Sequence, residues 1–352
     1  MIAARLALHS GEVFEGCLPQ GGQGEFFGEV VFNTGMVGYP EAMTDPSYFG
    51  QILVFTYPLI GNYGVPDAST FESDRIQVAG IVVSEAAHIY THRDAKKSIT
   101  AWCLEQHIPI MSDVDTRTLA KTLSHVGVVP GVITTHSTLP SHFKDINDEN
   151  LVEKVSIKTP IITGTGKKRV IAIDCGMKNN MMRYLEKMPI TIKRVPYNYD
   201  FTHEDYDAVF ISNGPGDPAM CSETIAILQQ AMKTKKPMFG ICLGAQLMAR
   251  AIGASTYKLP FGHRAQNHPC LDEKTKRCYL TSQNHGFAID EKTLPSDWTV
   301  RFRNLNDNTV QGIWHNHLPF FAVQFHPEHA PGPTDTVWLF DEFYKILCES
   351  RV

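Results

Sequence analysis

The chain has 352 residues with a hydrophobic fraction of 43%, and its 32 Lys and Arg stand against 37 Asp and Glu, a formal net charge of −5. That composition supports a sizeable buried core in two domains and excludes intrinsic disorder, collagen-like repeats and disulfide-stapled mini-domains. The acidic balance, with no basic stripe, excludes a nucleic-acid binder, which must neutralise phosphates with clustered Lys and Arg.

No stretch approaches the roughly 18 consecutive apolar residues of a membrane span, and residues 1–10 lack a secretory or organelle leader, so a cytoplasmic protein with no membrane partner is expected. The eight cysteines include no C-x-x-C pair. They read as small buried hydrophobes, with one or two at most available for chemistry.

The first half reads as short strands. Arg5 to His9 and Glu12 to Glu15 form a hairpin about Ser10-Gly11. Strands are also predicted over 28–32, 51–57 and 76–83, and helices over 97–107 and after Asp115. Asn33 to Tyr48, punctuated by Gly and Pro, reads as an ordered loop. A linker is predicted over 156–168, which divides the chain into domains at 1–155 and 169–352. Gly164-Thr-Gly-Lys-Lys168 fails the phosphate-loop pattern, because Ile161 stands where its first glycine belongs and Lys168 where its Ser or Thr belongs.

From Arg169 strands alternate with helices. Strands over 170–174, 190–195, 208–212 and 237–241 are interleaved with helices through Met181 to Leu185, over 223–235 and over 245–252, and a last helix presents Val337, Phe340, Tyr344 and Leu347 on one face. This grammar gives an α/β fold with a parallel sheet whose ligands lie at the carboxyl ends of strands. The first domain is the β-rich α/β partner.

Gly240-Ile-Cys-Leu-Gly244 follows an apolar strand and opens a helix, which is the cysteine form of a nucleophile elbow. The helix start favours a thiolate at Cys242, and the Leu243 N–H points where an oxyanion would form. Gln324-Phe-His-Pro-Glu328 supplies a base and its orienting group, since alternate residues of an extended segment share a face. Ser212-Asn-Gly-Pro-Gly-Asp-Pro218 exposes backbone N–H groups at another strand end. Thr281 to Phe287 is a fourth polar segment with a glycine at Gly286. The histidine pairs 263/268, 315/317 and 326/329 lack metal-ligand spacing, so no metal is expected.

These motifs resemble those of class I glutamine amidotransferases, and almost the whole chain is similar to the small, glutamine-hydrolysing chains of carbamoyl-phosphate synthases. The first half carries the narrower resemblance, in Val31-Phe-Asn-Thr-Gly-Met-Val-Gly-Tyr39, Thr44-Asp-Pro-Ser-Tyr48, Tyr57-Pro-Leu-Ile-Gly-Asn62 and Val114-Asp-Thr-Arg117. Val155-Ser-Ile-Lys-Thr159 and Ser282-Gln-Asn-His-Gly-Phe287 look closest to the version fused into eukaryotic multifunctional pyrimidine enzymes.

The resemblance implies Cys242 as nucleophile, His326 as general base and acid, and Glu328 as its orienting carboxylate. It implies an oxyanion site at the N–H groups of Leu243 and Gly214, and glutamine contacts from Ser47, Gly214, Gly216, Leu243, Gln246, Asn284, Gly286 and Phe287. It further implies L-glutamine as substrate and a separate large synthetase chain as partner. That chain would receive the ammonia and carry ATP and Mg, none of which this chain would hold, and the product would feed pyrimidine or arginine synthesis.

Many relatives have His at Ala245 and Gly at Ala265, departures outside the triad that imply altered tuning with catalysis retained. Two other readings are a catalytically silent homologue, which the intact Cys242, His326 and Glu328 disfavour, and a stand-alone hydrolase of γ-glutamyl peptides, which the first-half motifs disfavour.

Overall fold

The computed structural model describes residues 1–350. They fall into two compact units that divide between Asp148 and Glu149.

In the first unit β1 (Ile2–Leu8) and β2 (Val13–Leu18) make the expected hairpin, and β3 (Glu25–Asn33) follows. Residues 33–48 are more ordered than a loop. Gly38 at φ 83° turns the chain into α1 (Tyr39–Thr44), whose first turn accepts Pro40, and Asp45 caps a 3-10 turn over Pro46–Tyr48. Tyr39 and Met43, one turn apart, bury themselves together, which the Gly and Pro punctuation conceals.

Next come β4 (Gln51–Phe55), the two-residue β5 (Leu59–Ile60), β6 (Gly80–Val82) and β7 (Glu85–Ala86). The strand expected over 76–83 is thus only three residues of ladder, although Ile76 and Val78 are buried as their apolar character demands. Then follow α2 (Ile99–Glu105), β8 (Ile110–Met111), α3 (Thr116–Val126) and β9 (Val129–Thr134).

Seven strands join in the order β2-β1-β9-β3-β4-β6-β8, parallel from β3 to β8. α2 covers one face through Ile99, Trp102 and Cys103, and α3 covers the other through Leu119 and Leu123. A sheet buried on both faces explains why β4 reads as an unbroken apolar run.

The second unit begins with α4 (Val152–Val155) and β10 (Ile161–Thr163). The stretch expected as a linker, 156–168, contains β10. The units part between Asp148 and Glu149, and Ile161 to Thr163 pair antiparallel with residues 192–194 at a sheet edge. An edge strand of three residues is too short to show a period.

The alternating elements then appear as read: β11 (Lys168–Asp174), α5 (Asn179–Leu185), β12 (Ile190–Pro196), β13 (Ala208–Ile211), α6 (Ser222–Met232), β14 (Met238–Ile241) and α7 (Leu243–Ala251). Four further strands, β15 (Thr256–Asp272), β16 (Cys278–Ile289), β17 (Trp298–Asn304) and β18 (Val310–His315), precede β19 (Phe320–Val323) and the closing α8 (Trp338–Glu349).

The ten-stranded sheet has the order β10-β12-β11-β13-β14-β19-β18-β17-β15-β16, and its core from β12 to β19 is parallel. α6 and α7 pack on one face, and α5 and α8 on the other. The fold is the α/β class expected, extended by an antiparallel wing. No helix among the described residues is long and apolar enough to cross a membrane.

Candidate active site

Cys242 sits in the turn from β14 to α7 at φ 55° and ψ −107°, a backbone conformation costly for a non-glycine residue and typical of nucleophile elbows. The turn is held because the Cys242 N–H donates to the Val323 carbonyl on the neighbouring parallel strand at 2.8 Å. The thiol is buried, with Sγ 3.6 Å from the Asn284 carbonyl.

Gly244 is required by closeness: a Cβ there would stand 2.3 Å from the Ile211 carbonyl oxygen. Gly244→Ala is therefore expected to push α7 from β13, costing about 1–3 kcal/mol as overpacking does. Thermal denaturation of the variant would measure this.

The Ser212–Pro218 segment reaches the elbow through the same constraint. A Cβ on Gly214 would lie 2.0 Å from the Cys175 carbonyl oxygen and 2.8 Å from Leu243 Cδ2, so the Gly214 backbone abuts the first residue of α7. An N–H in the first turn of a helix has no partner within it, so the Leu243 N–H is oriented for an outside acceptor. Gly216, at φ 84°, turns the loop against Leu151.

His326 follows β19 and is buried, its backbone N–H donating to the Ser282 carbonyl at 2.9 Å. Its Nδ1 stands 2.7 Å from Glu328 Oε1, the orientation that alternation along an extended segment predicts. Burial opposes charge on this imidazole, but Glu328 and then Cys242 outweigh it and raise its pKa above the histidine range. Cys242 and His326 thus act on each other, and Nε2 is the ring nitrogen left on that side. Glu328 is fully buried, which alone would raise its pKa; Lys178 and then His326 instead hold it well below the carboxylate range.

Lys178 is the residue that reading the sequence missed. Only 3% of its side chain is exposed, its Nζ lies 3.0 Å from Glu328 Oε1, and it also donates to the His329 carbonyl at 2.5 Å. It stands at the carboxyl end of β11, where the fold collects its site. Asp174 shapes that end, accepting the N–H groups of Gly176 and Met177 at 2.8 Å each while paired with Arg194 at 2.6 Å. The signal was available, since Asp174-Cys-Gly-Met-Lys178 is a strand-end segment like those at 212–218, 240–244 and 324–328.

Gln246 lies in the first turns of α7 and donates to the Phe287 carbonyl at 2.8 Å and to Gln324 Oε1 at 3.1 Å. Asn284, Gly286 and Phe287 are on β16, so the elbow, the 212–218 loop, the 326–328 segment and β16 supply one neighbourhood in the second unit. Ser47 belongs to the first unit, where its N–H donates to Asp45 Oδ1 at 2.9 Å.

Comparison with known proteins separates the two units in the same way. Residues 171–346 match the glutamine amidotransferase class-I family, and residues 6–133 match the carbamoyl-phosphate synthase small chain, CPSase domain. The arginine-specific small chain of carbamoyl phosphate synthase from Neurospora crassa is 46% identical, over 97% of this chain and 79% of its own. The chain belongs to the carbamoyl-phosphate synthase small-chain family.

Multifunctional protein URA2 of Saccharomyces cerevisiae is 47% identical over 98% of this chain but only 18% of its own length. Multifunctional protein CAD of Squalus acanthias is 46% identical over 99% of this chain and 16% of its own. This member of the small-chain family therefore spans a small part of the multifunctional relatives it matches. Both departures noted in the sequence are buried here, Ala245 within α7 and Ala265 on β15.

Proposed function

We propose that this small-chain protein hydrolyses L-glutamine and passes the ammonia to a large synthetase chain. The observation that carries the reading is the buried array in which Glu328 holds His326 Nδ1 at 2.7 Å, leaving Nε2 on the side of Cys242 at the elbow.

In this mechanism His326 takes the Sγ proton as Cys242 attacks the side-chain amide carbon of glutamine. The tetrahedral oxyanion is met by the N–H groups of Leu243 and Gly214. His326 then gives its proton to the departing nitrogen, the C–N bond breaks and ammonia leaves a glutamyl thioester. Water, losing a proton to the same imidazole, attacks the thioester, glutamate leaves and the thiol re-forms. Glu328 keeps the imidazole oriented and stabilises its charged form, as the third member of a triad does. Gln246, Asn284, Gly286, Phe287 and Gly216 are assigned to glutamine.

The partner is a large chain that combines ammonia with bicarbonate and ATP, with Mg, to make carbamoyl phosphate. The small chain itself supplies side chains and backbone N–H groups to the chemistry.

The test is to measure glutamate release by the chain alone and with a large synthetase chain, together with glutamine-dependent carbamoyl phosphate formation by the pair. The expected result is slow hydrolysis alone, faster hydrolysis in the pair and coupled product. Absence of hydrolysis in the functional pair would sink the reading.

A further inference from the structure

Behind the segment of β16 that carries Asn284, Gly286 and Phe287 lies a buried polar cluster that the mechanism above does not use. The β15–β16 ladder sets His263 directly across from His285, with ring centroids 4.8 Å apart and nearly perpendicular. Both side chains are buried.

His263 Nε2 stands 2.7 Å from Asp307 Oδ2, so that nitrogen carries a proton and donates it. Its Nδ1 lies 3.2 Å from His285 Nε2, and Gln283 Oε1 lies 2.9 Å from the first nitrogen and 3.1 Å from the second. On its far side His285 Nδ1 donates to the Phe287 carbonyl at 2.8 Å, and Gln246 Nε2 donates to that same oxygen at 2.8 Å. The line from Asp307 through His263 and His285 to a carbonyl shared with Gln246 is continuous when His263 Nδ1 also carries a proton, which it donates to His285 Nε2 or Gln283 Oε1. Asp307 is itself fixed, accepting from the Thr309 N–H at 3.1 Å and its hydroxyl at 2.8 Å.

Burying such a network is costly unless every member is satisfied, and an apolar cross-strand pair would serve a purely structural purpose at less cost. Burial drives His285 well below the histidine range and lowers His268 beside it to about 4, so both are neutral and neither balances the Asp307 charge. What the cluster does achieve is orientation, because the His285 ring fixes one of the two donors on the Phe287 carbonyl.

We propose that His263 and Asp307 are positioning residues for glutamine binding. They act through His285 on the wall of the site built by Phe287 and Gln246. This rests on the glutamine-hydrolysing reading above.

The test uses the full chain paired with its large synthetase chain and compares His263→Asn, Asp307→Ala and Asp307→Asn by steady-state glutamine hydrolysis. His263→Asn and Asp307→Ala are expected to raise the KM for glutamine about tenfold or more while kcat changes by less than about threefold, the signature of lost binding alone. Asp307→Asn, which keeps an oxygen to accept from His263 Nε2, is expected to recover most of the affinity. A merely structural role would lower the melting temperature without this split and without rescue.

Asp307 has 39% of its side chain exposed, so its variants fold even where His263→Asn does not. An unchanged KM in Asp307→Ala, or equal KM values in Asp307→Ala and Asp307→Asn, overturns the positioning role. A parent pair that fails to hydrolyse glutamine overturns the broader reading and this one with it, whereas an active parent with unaffected variants overturns this one alone.

Discussion

Replacing Cys242 with Ser is expected to lower the kcat for glutamine hydrolysis by roughly 10³-fold or more, since removing the nucleophile of a triad leaves only binding and oxyanion stabilisation. The fold tolerates the change. The hydroxyl is no larger than the thiol, and the positive φ at this residue is imposed by the backbone hydrogen bond to Val323, which the side chain does not touch. Ammonia-dependent carbamoyl phosphate synthesis by the pair should therefore persist while glutamine-dependent synthesis disappears. Measuring both in one preparation separates lost chemistry from lost docking. Equal glutamine-dependent rates for parent and variant would remove Cys242 from the mechanism.

Lys178→Met is expected to have the largest effect on stability, and to lower turnover as well. Methionine fills a similar volume, so the change removes charge more than packing, and it leaves the Glu328 carboxylate buried without its ammonium partner. Breaking a buried pair in this way costs about 3–5 kcal/mol. A Glu328 that regains protons no longer holds His326, and loss of a positioned base costs kcat about 10²-fold or more.

The pH dependence has a definite sign. Glu328 is depressed in the folded protein, against burial, by Lys178 and His326, so its contribution is present above the ordinary glutamate value near 4.3 and is lost as pH falls below it. His326 is raised, against burial, by Glu328 and Cys242, so its contribution is complete below about 6.5 and is lost as pH rises through its folded value. Lys178→Met should flatten the acid limb of a plot of stability against pH. Adding Glu328→Gln to it should recover stability but not turnover. Denaturant unfolding across pH, run as a double-mutant cycle, would measure these differences. A single Lys178→Met variant as stable as its parent across that range would show that the pair contributes nothing.

How much of this was legible in the sequence depended on whether one period governed a segment. β11 to α7 could be read nearly residue by residue, because parallel strands buried on both faces are short apolar runs and the helices between them repeat at 3.6. β15 and β16 could not. Register shifts between Lys258 and His263 and between Ala265 and His268 break the alternation, and Pro260 and Pro269 argue locally against any strand. The helix at Tyr39–Thr44 was hidden by Gly38 and Pro40, which serve as its entry.

The same contrast holds at the site. Cys242, His326 and Glu328 stand in short motifs whose spacing carries their geometry. Lys178 is 150 residues from Glu328 in sequence, and His263 meets Asp307 across an irregular strand, so only the folded chain brings these pairs together.

Every residue of α7 except Arg250 is buried. A helix enclosed on nearly all sides in a close-packed interior has no face along which to slide or roll. Cys242 at its head is therefore a fixed point, and under the proposed function any acceleration by a partner would come from parts other than this helix. A partner that speeds hydrolysis would do so by completing the cradle around an unmoved sulfur, leaving the sulfur's own placement the same in the resting and working states.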